Sequence, residues 1–205
     1  MINRKPLVGV TGIIGSGKST VSKLFIELGA VVFNADEAAH EVLKTPSVVA
    51  KIKEKFGGQV AKGNGVLDRR KLAESVFNDP QRLRELNVLI HPQVRQQMLK
   101  FIRQQQETSC KMIIIDAPLI YETDLYKLLD FVVVVAASNE NCIRRVTQRS
   151  GLSAEEVGNR LAQQLPLAEK TRRADFIISN DGSREQLPAQ VAKVFQKIVQ
   201  IWSEK

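Results

Sequence analysis

Val8-Gly9-Val10-Thr11-Gly12-Ile13-Ile14-Gly15-Ser16-Gly17-Lys18-Ser19-Thr20 is the stretch whose reading decides the fold. Gly12, four further residues and then Gly17-Lys18-Ser19 match the spacing of a phosphate-binding loop. Leu7–Val10 reads as a short buried strand in front of it, and Val21–Leu28 as the first turns of a helix behind it. A triphosphate needs a turn of this kind. Glycines let successive backbone N–H groups approach phosphate oxygens without a Cβ in the way, and the helix N-terminus adds partial positive charge. The nucleotide-binding candidates are therefore Gly12, Gly15, Ser16, Gly17, Lys18, Ser19 and Thr20. Lys18 can reach the β- and γ-phosphates, and the Ser19 hydroxyl can ligate Mg²⁺. The motif implies a bound nucleoside triphosphate and leaves open what becomes of it.

Outward from the loop, Ala30–Phe33 reads as a second buried strand ending at Asn34-Ala35-Asp36. Helices are expected over 37–44 and 47–56, interrupted at Pro46 and stopped by Gly57-Gly58. Residues 59–68, with Gly63, Asn64 and Gly65, read as a polar turn or short hairpin, followed by a helix over 69–77. Asn78-Asp79-Pro80 caps a long helical region to about 106, which Pro92 is expected to kink or divide. No buried-strand pattern occurs from 47 to 106, so a helical substrate subdomain is expected as an insertion over about 47–107. Lys111–Ile115, Phe131–Ala136 and Asp175–Ser179 read as the third, fourth and fifth strands. A basic helix is expected over Asn139–Arg149, a second opening at Ser153, and a last one from Pro188 to Trp202. The fold class is α/β, one P-loop NTPase-type parallel sheet flanked by helices, with a helical lid over about 149–174.

Composition narrows the partners. The 205-residue chain carries a formal net charge of +8, which favours anionic ligands, but only two Tyr and one Trp. Nucleic-acid stacking platforms interleave aromatics with basic residues, so a polyphosphate small molecule is the better expectation and no nucleic-acid partner is anticipated. No apolar run is long enough to span a bilayer, and Met1–Pro6 leads straight into the first strand, leaving no room for a cleaved signal. Cys110 and Cys142 stand apart without metal-type spacing and are expected as reduced thiols. Together these features predict a cytoplasmic protein with no membrane partner.

Among P-loop proteins, a GTPase would carry Asn-Lys-x-Asp, which is missing, and a motor or ABC ATPase a strand ending Asp-Glu. Here Ile115-Asp116 is followed by Ala117-Pro118. Small size, inserted helices and an arginine-rich late segment point to a small-molecule kinase whose lid brings arginines over the phosphates. Arg149, at the end of the basic helix, is the candidate for neutralising charge on the transferring phosphoryl group. The alternatives are a nucleoside or nucleotide kinase and, in another class, a nucleotide-binding regulatory or nucleic-acid-binding module.

The chain also resembles the dephospho-coenzyme A kinases over nearly its full length. The resemblance rests on Thr11–Ser19, Ala35-Asp36, Gly65-Val66-Leu67-Asp68-Arg69 and Leu89-Ile90-His91-Pro92. It continues through Asp116-Ala117-Pro118-Leu119-Ile120-Tyr121-Glu122, Gln148-Arg149, Gln164, and Ala174-Asp175 with Asn180. Two departures stand out: Ile13 replaces a usual glycine, and Asn34-Ala35-Asp36 replaces Asp-Ala-Asp. The resemblance implies ATP with Mg²⁺ and dephospho-CoA as acceptor; the sequence does not give the oligomeric state, with a monomer favoured. The resemblance implies Asp36, expected beside the phosphate loop at the end of the second strand or else a helix N-cap, as the base for the ribose 3′-hydroxyl. Arg69 and His91 would hold the CoA portion, and Pro118, Leu119 and Glu122 would shape the acceptor pocket, with Thr11 bridging to Asp36 or the acceptor. Asp116 joins Ser19 as a metal candidate, and Asn180 is placed where related kinases receive adenine.

Lys18→Ala should abolish turnover with ATP and dephospho-CoA while leaving the far-ultraviolet circular dichroism unchanged. Wild-type turnover in a correctly folded variant would overturn the phosphate-loop reading.

Overall fold

The computed structural model describes residues 4–62, 65–77, 79–182 and 185–204. Gly63, Asn64 and Asn78, which belong to the expected turn and cap, lie outside the described residues. The chain divides into two compact units, one of residues 1–33 with 104–205 and the other of residues 34–103.

The first unit is built on five strands: β1 (Leu7–Thr11), β2 (Ala30–Asn34), β3 (Met112–Asp116), β4 (Phe131–Ala136) and β5 (Phe176–Ser179). Their order in the sheet is β2-β3-β1-β4-β5. β1 pairs in parallel with both β3 and β4, and β4 with β5. Every residue of β1 and β3 is buried, which is why their sequences are continuous apolar runs rather than alternating ones. Val8, Val10, Met112, Ile114, Val133 and Val135 share a core with two helices, α1 (Lys18–Glu27) and the C-terminal helix Gln186–Ser203. Phe25 and Phe195 meet there with ring centroids 6.3 Å apart.

The second unit is helical. α2 (Ala35–Val42), α3 (Pro46–Phe56), α4 (Arg69–Phe77) and α5 (Pro80–Gln106) follow in order, the end of α5 leading into the first unit. Val42, Val48, Ile52, Phe56, Val60, Leu67, Leu72, Val76, Leu86 and Ile90 form its core. The sequence between α3 and α4 closes on itself through an antiparallel bridge between Ala61 and Leu67. Back in the first unit, α6 (Asn139–Ser150), α7 (Ala154–Ala162) and α8 (Leu167–Arg172) connect β4 to β5, and α9 is the C-terminal helix. A capping box opens α7, with Ser153 and Glu156 bonding each other's backbone N–H.

Several expectations needed correction. The sequence reading set the end of β2 beside the phosphate loop, but β3 lies between β2 and β1. The helix after β2 begins at Ala35, and its N-cap is Asn34 rather than Asp36: Asn34 Oδ1 accepts from the N–H groups of Asp36 and Glu37 at 3.0 and 3.1 Å. Pro46 does not merely interrupt helix; it opens α3 at the first position, where its missing N–H costs nothing. Pro92 does not divide α5, which runs unbroken through it. Pro92 and Val88, whose carbonyl loses its i+4 donor, are both exposed, so solvent can reach the carbonyl.

Phe25 has no accessible surface and touches both the sheet and α9. Phe25→Ala should therefore cost about 3–5 kcal/mol of unfolding free energy, visible as a lower urea midpoint at unchanged slope.

Candidate functional site

β1 delivers the chain at Thr11 into a loop that reaches α1 at Lys18. Gly17, the N-cap of α1, is left-handed with φ 95°, and the space where its Cβ would stand is filled by the Asn180 amide. Gly15, with φ 82°, lies so close to α6 that a Cβ would stand 2.5 Å from the Cys142 carbonyl oxygen. Both positions need glycine for conformation and for space. Lys18 is half-buried, and Ser19 and Thr20 are exposed in the first turn of α1. That turn holds no acidic side chain, so the positive helix end is left for an anion.

Ile13 is compatible with the loop. Asp124 is the only non-glycine residue with positive φ among the described residues, so Ile13 keeps ordinary backbone geometry. Its side chain is buried against Ala137 and Cys142, with Leu161 of α7 and Leu167 of α8 packed beside them.

The loop is held from outside by three side chains. Asn180 Nδ2, just after β5, donates to the Ser16 carbonyl at 2.7 Å, while Arg145 donates to the Asn180 carbonyl at 2.7 Å. Gln164 Oε1 accepts from the Ile14 N–H at 2.9 Å. Thr11, fully buried, donates its hydroxyl to the Pro118 carbonyl at 3.1 Å. The sequence placed Asn180 near the nucleotide; the structure shows it bracing the loop backbone.

Asp116 ends β3 and is buried, with Oδ2 accepting from Ser22 Oγ at 2.8 Å. Ser22 lies one turn along α1 from Ser19. An exposed serine hydroxyl and a buried carboxylate form a sparse oxygen donor set, and no cluster of three metal-ligating side chains occurs among the described residues. Such a set suits Mg²⁺ arriving with nucleotide phosphates and keeping its waters, not a cation caged by protein.

Glu122 is engaged rather than free. Its Oε1 accepts from Lys170 Nζ at 2.7 Å and from the Leu165 N–H at 2.9 Å. Lys170 has no accessible surface and also donates to the Pro118 carbonyl at 2.8 Å. Burial holds the Lys170 ammonium below its ordinary pKa, Glu122 opposes that shift, and the positive charges of Lys18 and Arg173 reinforce it. Arg173 stacks over Tyr121 and Tyr126, its guanidinium carbon 4.3 and 4.8 Å from the two ring centroids. Lys170 escaped the sequence reading because Glu169, Thr171 and Arg172 around it look solvated. The signal was its i+3 spacing from Leu167, which puts it on the apolar face of α8.

Leu119 is half-buried in the turn after β3, and Arg149 is exposed in the last turn of α6. In the second unit, Asp36 is exposed in the first turn of α2, and Arg69 starts α4. His91, midway along α5, has surface access, yet partial desolvation lowers its pKa and favours the neutral ring.

A family model described as dephospho-CoA kinase matches residues 6–186. The chain is 39% identical over 191 residues to the Geobacillus kaustophilus dephospho-CoA kinase, covering 93% of this chain and 95% of that protein. A Thermus thermophilus crystal structure superposes with a TM-score of 0.82 at 36% identity, covering 95% of this chain and 97% of that one. The dephospho-CoA kinase from Campylobacter jejuni superposes with a TM-score of 0.64 at 28% identity, with the same two coverages.

Cys142 packs behind the loop with no accessible surface, and burial pushes its thiol up to about 11. At pH 8 only about one such thiol in a thousand is ionised, so iodoacetamide should modify Cys110 in the folded protein and Cys142 only after denaturation. Equal labelling of both would show that α6 does not back the loop.

Proposed function

Because the chain belongs to the dephospho-CoA kinase family, we propose how its residues divide the work of that reaction. The enzyme transfers the γ-phosphoryl group of ATP to the ribose 3′-hydroxyl of dephospho-CoA, giving CoA and ADP in the final step of coenzyme A biosynthesis. The observation that carries the reading is the glycine-formed loop opening on the uncapped positive end of α1. Loop N–H groups and Lys18 hold the β- and γ-phosphates, and Asn180 keeps the loop shaped for them while bordering the adenine. Bound with the nucleotide, Mg²⁺ would be held by the Ser19 hydroxyl, with Asp116 acting through its water shell, and would offset phosphate charge. Arg149 neutralises charge on the transferring group from the segment 149–174, which serves as the lid.

On the acceptor side, the 3′-oxygen forms its bond to phosphorus as the bond from phosphorus to the ADP oxygen breaks. The hydroxyl proton passes to the Asp36 carboxylate. Arg69 and His91 bind the CoA portion from the helical subdomain of about 47–107, a neutral His91 donating or accepting a hydrogen bond. Pro118 and Leu119 wall the acceptor site, Thr11 supports them through the Pro118 carbonyl, and Glu122 contributes by fixing this wall. The support for Asp36, Arg69 and His91 is the family resemblance at those positions. A cytoplasmic setting is supported by two unbridged cysteines, and among the described residues no helix is long and apolar enough to cross a membrane. We take the working form as a monomer.

ADP release should depend on added dephospho-CoA and vanish with a chelator. In that assay Asp36→Asn should retain both substrate affinities and lower kcat by about 10²–10⁴-fold, with Asn34→Ala milder. Retention of more than about a tenth of wild-type kcat would remove Asp36 as the base, and acceptor-independent ADP release would remove the kinase reading.

A further inference from the structure

The geometry points to Lys170 as a positioning residue for the phosphate loop, acting through Glu122 and the backbone beside Gln164. The bonds form a continuous relay. Lys170 Nζ donates to Glu122 Oε1 at 2.7 Å; the same oxygen accepts from the Leu165 N–H at 2.9 Å. The neighbouring residue, Gln164, accepts from the Ile14 N–H at 2.9 Å, inside the loop. A second arm runs from Lys170 Nζ to the Pro118 carbonyl at 2.8 Å, which also accepts from Thr11 Oγ1 at 3.1 Å. One buried ammonium thus connects to Thr11, immediately before Gly12, and to Ile14, two residues beyond it.

The chemistry requires a cation at position 170. A methionine would fill the same space but take the charged donor from the Glu122 carboxylate and from the Pro118 carbonyl, leaving them only the Leu165 N–H and the Thr11 hydroxyl. A partly desolvated carboxylate left unpaired turns toward water, and the Leu165 N–H loses its acceptor with it. Gln164 then no longer stands fixed over the Ile14 N–H, and the loop can rearrange. Lys18 and Arg173 lie near enough to repel Lys170, against the pull of Glu122. A bound polyphosphate relieves that repulsion, and the Gln164 bond to the Ile14 N–H inside the phosphate loop ties this arm of the relay to the nucleotide.

This inference rests on the loop being the ATP site, so Lys18→Ala belongs in the same experiment as a control. ATP dissociation constants, KM for each substrate, kcat and thermal midpoints are measured for Lys170→Met, Gln164→Ala and the double variant of the full chain. Each single change should weaken ATP binding about tenfold, the scale of a hydrogen bond to a charged group; the KM for dephospho-CoA should stay within about twofold of wild type in Gln164→Ala, whereas Lys170→Met, which also frees the Pro118 carbonyl and Glu122, should raise it. The double variant should lose no more than about threefold beyond the worse single, because both changes cut one relay. Multiplying losses, or a lowered thermal midpoint with unchanged ATP affinity, would overturn the proposal. Should Lys170→Met fail to fold, Gln164→Ala decides alone: unchanged ATP affinity sinks the relay. If Lys18→Ala remains active, the loop reading itself fails; if it is dead and Gln164→Ala is normal, only the relay does.

Discussion

A loop that presents N–H groups to an anion can bond few of them to itself, here Ser16 N–H to the Ile13 carbonyl at 3.1 Å, and that constraint governs the rest of the first unit. The Gly12–Gly17 backbone lacks the internal ladder that stabilises a helix or strand, so its shape must come from neighbours. Asn180 supplies a donor to the Ser16 carbonyl, and Gln164 an acceptor for the Ile14 N–H. The packing of Gly15 against the Cys142 backbone closes the third side. These contacts come from residues between 142 and 180, far along the chain, so the loop takes its shape only when β4, α6 and β5 are in place. Rigid strands buried on both faces set the positions of those partners.

The pair of buried Lys170 with solvent-accessible Glu122 shows the same logic in energetic terms. Taking a lysine fully out of water is costly, and its ion pair with Glu122 offsets that cost incompletely, as the net downward shift of its pKa indicates. Apolar residues of similar volume could stabilise the fold equally well. An arrangement that is not the cheapest way to fill a core, in a unit with a phosphate-binding loop, is the kind of local conflict expected at a working site.

Much of the first unit was legible in advance because its signals are local. Phe131–Ala136 is a β-branched run ended by turn residues, and its bounds agree with the observed β4. The phosphate loop could be read because its glycines, lysine and serine recur at a fixed spacing between a strand pattern and a helix pattern. What escaped were matters of tertiary context. The sheet order cannot be read from strand patterns, so the position of β2 relative to β1 was misjudged. Asn34 and Asp36 are both competent N-caps, and only the backbone at the end of β2 decides between them. Lys170 and Gln164 act through partners 48 and 150 residues away, a distance over which no sequence window reports.

Ile13 has a thermal consequence. Its side chain shares an apolar cluster with Leu161 and Leu167, so the segment carrying α7 and α8 is fastened to the floor of the loop by hydrophobic contact as well as hydrogen bonds. Contact of that kind is driven near room temperature by the entropy of released water, so its grip weakens on cooling and salt screening barely alters it. A glycine at the same position would leave Leu161 and Leu167 only Ala137 and Cys142 to pack on, shifting the balance toward polar ties, whose strength follows a different course with temperature. The single substitution at Ile13 thus makes the hold on this segment partly a property of the solvent, tightening as the cell warms.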